Sequence, residues 1–182
     1  SRRVFLRLPT YSASEKLNWL IGFTRIGLFS ITYILTGSLD LFRGSLALAY
    51  IDPYNLEYLS FSIIQRLAKL QSIDFAVHFS TMDLTRNIDL ELNPQRGRFD
   101  HTLPGWRTKV PSNELSKASL PSWFFNQWCG AIESLGFKIS HQMPLISNGQ
   151  GSSIYRLVFF SRHPLADRIW GDVAKERNLS LF

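Results

Sequence analysis

Leu46-Ala-Leu-Ala-Tyr-Ile-Asp-Pro-Tyr-Asn55 is the stretch on which the reading of this chain turns. An apolar and aromatic run, long enough for one buried strand, ends in Asp52-Pro53-Tyr54-Asn55. Proline removes a backbone donor and restricts φ, so the strand stops there. Ser60-Phe-Ser-Ile-Ile-Gln-Arg-Leu-Ala-Lys-Leu70 follows with helical periodicity, over about 59–70. Strand, acidic-proline-aromatic corner and helix is the layout of a ligand site at the carboxyl end of a parallel strand. In that layout Asp52 and Tyr54 stand at the rim of a sheet. The plain alternative is an ordinary connection, with Asp52 capping a helix and Tyr54 packed.

Working outward, Ile73-Asp-Phe-Ala-Val-His-Phe-Ser80 is a second short apolar run, as expected of a parallel strand buried on both faces. The two strands and the helix between them make a βαβ unit. His78 lies inside this strand, either as a satisfied core histidine or as a site residue. From Thr81 to Ser119 regularity fades, and Arg96, Arg98, His101, Arg107 and Lys109 alternate with Phe99 and Trp106. So long a loop is commonly functional or disordered. Basic residues among aromatics suit phosphates and base stacking. The alternative is a solvated basic loop whose aromatics tuck into the core. Asp83 and Arg86 are spaced to pair across one helical turn, or else to touch substrate.

Pro121 to Gly136 reads as an amphipathic helix with Trp123, Phe124, Trp128, Ile132 and Leu135 on its core face. Phe137–Leu145 and Ile154–Ser161 read as strands joined by a hairpin loop, hence antiparallel. Gly149-Gln-Gly151 links two strands and opens no helix, so it is no phosphate loop. Pro164 starts a last helix to about Arg177, with Leu165, Ile169 and Val173 on one face.

The first 40 residues read as a lead-in. Ser1–Ser14 is polar and basic, strand-like or irregular. Leu17 to Leu35 has the length of a membrane span, but Arg25 sits near its middle, where lipid would penalise it. A helix to about Phe29 and a strand over Ile31–Leu35 is the better reading, with a turn at Gly37–Asp40 and a connector over Leu41–Arg43. No membrane association is expected. No cleavage pattern of a signal peptide follows the apolar run. The chain opens on Ser1, so it reads as processed or as the later part of something longer.

With 182 residues and 45% hydrophobic content, the chain suits a single α/β domain with a substantial core. One cysteine, Cys129, excludes an internal disulfide framework, and its apolar surroundings suit a buried thiol. A reducing, cytoplasmic setting is compatible with this. The net charge of +6 admits a polyanionic partner such as nucleic acid, since charge governs association and not fold. The four histidines share no metal-ligand spacing.

The order of elements matches the second half of a class I methyltransferase sheet, Rossmann-like and mostly parallel, ending in an antiparallel hairpin. Asp52-Pro53-Tyr54 is similar to the acidic/amide-Pro-Pro-aromatic motif of amino-group methyltransferases, with Asn55 following and the second proline missing. A longer set, Tyr50-Ile-Asp-Pro-Tyr54, Asp74 to Ser80, Met82-Asp-Leu-Thr-Arg-Asn87, Pro104-Gly-Trp-Arg107 and Tyr155 to Leu165 with Trp170, resembles the three-Cys-motif partner proteins, a bacterial and phage-associated family. That resemblance covers about 40 to 182. It implies a divergent methyltransferase-like protein using S-adenosylmethionine, acting on or binding nucleic acid, or else a catalytically inactive module that works with a partner protein. By the same resemblance Asp52, Pro53 and Tyr54 are the catalytic positions, and Asn55, His78, Asp83, Arg86, Asn87 and Arg107 bind substrate. One feature departs from it: no strand–Gly-x-Gly–helix occurs before residue 45, where glycine would let backbone approach the cofactor.

Overall fold

The structure, a computed structural model, describes residues 3–8, 20–21, 29–30, 46–111, 115–175 and 180–181. They form an α/β fold with a mixed, open sheet of seven strands and four α-helices. The strands are β1 (Arg3–Leu8), β4 (Leu46–Ile51), β5 (Ile73–Phe79), β6 (Lys138–Ile139), β7 (Leu145–Asn148), β8 (Ser153–Ser161) and β9 (Ser180–Leu181). A separate two-stranded pair is β2 (Leu20–Ile21) with β3 (Phe29–Ser30). The spatial order is β1-β4-β5-β8-β7-β9, with β6 on β8. β1, β4 and β5 run parallel, and β8 lies antiparallel between β5 and β7.

The helices are α1 (Phe61–Leu67), α2 (Thr81–Glu91), α3 (Leu120–Glu133) and α4 (Pro164–Lys175). Ala47, Ala49 and Ile51 of β4 alternate with Leu48, Tyr50 and Asp52, and only the first set is buried. The strand period of two therefore divides the sheet into a covered face and a partly open one. On the covered face Phe75, Phe79, Val158 and Phe160 meet Ile64 and Leu67 of α1, Leu84 and Ile88 of α2, and Phe124, Trp128 and Ile132 of α3. Phe75 stacks on Phe160 with centroids 4.7 Å apart, and Trp128 lies 5.0 Å from Phe79. Fully burying each such ring contributes roughly 1.5–3 kcal/mol relative to exposure. The open face receives α4, whose Trp170 stacks on Phe159 at 4.9 Å.

Local chemistry sets the helix ends. Ser80 accepts the Asp83 N–H at 3.3 Å and caps α2, and Asp83 in the first turn suits the helix dipole. Gly136, at φ +84°, ends the turn after α3. Arg162 reaches the carbonyls of Ala68 and Leu70 after α1 and of Leu135 after α3, with its guanidinium 3.9 Å from the Phe137 centroid. It thus ties two helix C-termini to the end of β8.

Several expectations change. The helix read to about Phe29 is replaced at Leu20–Ile21 and Phe29–Ser30 by paired antiparallel strands, where β-branched Ile21 and aromatic Phe29 face each other in register and suit a sheet. The remainder of that stretch, the strand over Ile31–Leu35, the turn at Gly37–Asp40 and the connector over Leu41–Arg43 lie outside the described residues. Within the lead-in, Arg3–Leu8 is a strand that pairs with β4. Residues after Thr81 are not irregular but form α2, with Leu84, Ile88 and Glu91 on its buried stripe. The strand read over Phe137–Leu145 is broken into β6 and the start of β7, since Pro144 lacks an N–H. Its carbonyl still accepts from Leu157, so both pieces flank β8. Nor is β5 buried on both faces, as Asp74 and His78 remain partly exposed.

Candidate functional site: the rim of β4 and β5

Parallel alignment places Tyr50 opposite Ala76 and Ile51 opposite Val77. One step further, Asp52 and His78 meet on the partly open face at the carboxyl ends of their strands. His78 Nδ1 lies 2.9 Å from Asp52 Oδ1, and its Nε2 lies 2.6 Å from the Tyr50 hydroxyl. Tyr155, diagonal to His78 on β8, stacks on the imidazole with centroids 4.3 Å apart and planes 14° from parallel. The imidazole is 14% exposed and the carboxylate 33% exposed, so the pair is reachable from solvent. Burial, then the nearby Asp52 charge, pushes the Tyr155 phenol above its ordinary range and keeps it protonated.

The corner after β4 separates its residues. Pro53 is buried, whereas Tyr54 is 82% exposed. Asn55 precedes a short 3-10 turn, Leu56–Tyr58, and its buried Oδ1 has no hydrogen-bond partner. Asn55 and Ser60, and not Asp52, hold the N-cap positions that follow. The capping alternative for Asp52 is thereby excluded.

The other candidates lie apart from this rim group. Asp83 accepts the Leu56 N–H at 2.8 Å and the Asn87 amide at 2.7 Å, and lies 3.5 Å from Arg98. It ties the corner to α2, and its ionic partner is Arg98, not Arg86, which is exposed on α2. Arg107 donates to the carbonyls of Glu91 and Arg96 and to Asp100, and its guanidinium lies 4.9 Å from the Trp106 centroid. Arg98 pairs with Glu57 at 2.6 Å, and that bond holds its guanidinium above the ordinary range. Phe99 and Trp106 are fully buried. Arg98 and Arg107 are thus tied into the fold and the aromatics packed in the core, while Arg96, His101 and Lys109 stay exposed, as the solvated-loop alternative expects.

Comparison of the chain with protein-family models, curated proteins and solved structures finds no match. The site must be argued from its own residues.

Among the described residues, no three His, Cys, Asp or Glu side chains come together to hold a metal ion. The described glycines with positive φ are Gly105 before a 3-10 turn, Gly136 after α3 and Gly151 in the β7–β8 hairpin. None follows a parallel strand, so the described residues supply no glycine cradle for S-adenosylmethionine. Among those residues no helix is long and apolar enough to cross a membrane. Burial pushes the Cys129 thiol up to about 12, which makes it a poor nucleophile. His163 accepts the Leu165 N–H through Nδ1 and caps α4. A cleft of about 500 Å³ lies elsewhere, lined by Gln65 of α1, Lys109, and Asn126 and Gln127 of α3. It holds none of the rim residues.

Sequence reasoning assigned no role to Tyr50 or Tyr155. Tyr50 was within reach, because residues two apart on a strand share a face and Asp52 was already singled out. Tyr155 depends on the register of β8 against β5, two strands far apart in sequence, which no local signal specifies.

Proposed function

We propose that this chain is a divergent methyltransferase-like protein that binds nucleic acid at the rim of β4 and β5, with a nucleobase as the group recognised there. The observation that carries this reading is the Asp52 carboxylate at the end of β4 with the Tyr54 ring, 82% exposed, two residues on. A carboxylate can accept from an exocyclic amine while an exposed ring stacks on the base. Parallel strands that finish with an antiparallel hairpin, and a net charge of +6, support it further. S-adenosylmethionine is the cofactor such a protein implies, and it forms a separate arm of the test.

A second reading, a catalytically inactive module working with a partner protein, is favoured by two observations. One is the want of a glycine cradle among the described residues. The other is the exposed row Leu165, Ile169 and Val173 on α4, apolar at helical spacing.

The test is fluorescence anisotropy with short single-stranded DNA and RNA, beside calorimetric titration of S-adenosylmethionine into the chain and Asp52→Ala. Oligonucleotide binding that weakens about tenfold in Tyr54→Ala, and weakens with added salt, is expected. Binding that neither Tyr54→Ala nor Asp52→Ala changes would remove the rim as the binding site. Absence of both oligonucleotide and cofactor binding would leave the partner module.

A further inference from the structure

We propose that Tyr50, His78 and Asp52 form a proton relay that makes the Tyr50 phenol the acid–base group of the rim. The inference rests on reading the rim as a ligand site, and its geometry is independent of which ligand binds. A carboxylate only accepts, so the Nδ1 facing Asp52 carries a proton. In the neutral imidazole, Nε2 is then the acceptor and takes the Tyr50 O–H at 2.6 Å. The logic is that of a Ser-His-Asp system with a phenol in place of the alcohol. Asp52 holds the tautomer, His78 takes the proton, and the phenolic oxygen then attacks, or accepts a proton from a ligand at the rim.

Every described titratable group on His78 has a place in this scheme. Tyr50 and Asp52 come from β4 and Tyr155 from β8. Tyr155 offers its ring face to the imidazole, and its phenol, raised by burial and by the Asp52 charge, stays protonated beside the relay. The stack and the edge-on Tyr50 ring, 83° from the imidazole plane, hold His78 in the orientation that serves both hydrogen bonds.

The relay predicts selective chemistry at Tyr50 with an added electrophile. With benzenesulfonyl fluoride, the phenolic oxygen attacks sulfur, the S–O bond forms, the S–F bond breaks and fluoride leaves, while the phenolic proton passes to His78 Nε2. Peptide mass spectrometry then reads the rate of Tyr50 modification against pH. An isolated phenol reacts through its phenolate, so its rate climbs with pH towards about 10. Through the relay the rate levels off well below that range. Both His78→Gln and Asp52→Asn are expected to lower the Tyr50 rate at least tenfold at neutral pH, while His141→Gln, in the exposed β6–β7 connection, leaves it unchanged. The wild-type pH profile needs no variant, so a variant that fails to fold does not shield the proposal. A profile that climbs steadily to the phenol range, or a rate indifferent to both relay substitutions, overturns it. An adenosine-linked sulfonyl fluoride run in parallel separates the two claims. If the plain reagent shows the plateau but adenosine gives no acceleration, the relay stands and the nucleobase reading fails. If adenosine accelerates labelling without a plateau, the reverse holds.

Discussion

In the loop that follows α2, Arg107 turns onto the fully buried Glu91, whose side chain also accepts the Arg98 backbone N–H, while the Arg98 guanidinium pairs with Glu57 and Asp83. At the rim of β4 and β5, Asp52 and His78 pair across two strands while both remain partly exposed, with Tyr54 standing in solvent. The two regions draw on similar residues: cations, carboxylates and aromatic rings. They differ in where the polar atoms point. Glu91 Oε2 accepts the Arg98 backbone N–H at 3.1 Å and lies 3.6 Å from Arg107, while the Arg98 guanidinium pairs with Glu57 and Asp83, so both guanidinium groups are engaged by carboxylates within the fold. The rim pair sits where a ligand can reach it. A basic stretch with interleaved aromatics is thus no guide to a binding surface until the partners of its arginines are known.

Substitutions can break this contrast in either direction. The largest effect is expected from Glu91→Ala, which strands Arg107 and the Arg98 N–H in a buried setting. A loss of about 3 kcal/mol, or a fall of roughly 6–12 °C in Tm, should appear by calorimetry. Oligonucleotide affinity of the folded protein should hold. Loss of affinity with stability intact would mean that the loop faces a ligand after all.

Tyr54→Ala should do the opposite. An exposed ring leaves stability within about 0.5 kcal/mol, while base stacking of about 1–3 kcal/mol is lost from binding. Coincident losses in both would place Tyr54 in the core of the fold.

A smaller effect concerns Asp74, on the same open face at the opposite end of β5 from the rim. Burial raises its carboxyl above the usual range, although Ser161 donates to it at 2.5 Å. A carboxyl with a raised folded-state pKa binds its proton more tightly in the folded protein. Stability therefore falls as pH rises from the unfolded value, about 3.9, through the folded one. Asp74→Asn should melt higher than the parent at neutral pH, by less than about 1 kcal/mol or roughly 2–4 °C. The gain should vanish under acid, and a gain that persists below pH 3 would assign it to packing. The smallest change is expected at Arg86, exposed on α2. Arg86→Ala should alter stability by less than about 0.5 kcal/mol, checked in the same melts.

Much of the fold was legible because its signals are local. Proline after Ile51 marks the end of β4, and the aromatic spacing from Phe124 to Ile132 marks the buried stripe of α3. α2 was harder to see. Thr85, Asn87 and Asp89 are weak helix formers, and the helix rests on the Ser80 cap and on Leu84 and Ile88 packing inward. The row Leu165, Ile169 and Val173 carries the helical period of a core face but stays exposed, as α4 meets the sheet through Trp170 on Phe159 and the β6–β7 connection through Gly171 beside Gln142. Periodicity reports an amphipathic helix and is silent about what covers it.

By itself the sequence determined the strand, corner and helix around Asp52, the antiparallel hairpin and the aromatic core, since period, proline and glycine act over a few residues. Only the tertiary structure decided that Tyr50 and Asp52 meet His78 from a strand 28 and 26 residues away, and that Tyr155 closes over it. It also decided that Arg98 and Arg107 face inward. Those outcomes depend on strand register and on which charges fold onto one another, and both are properties of the whole sheet and its packing.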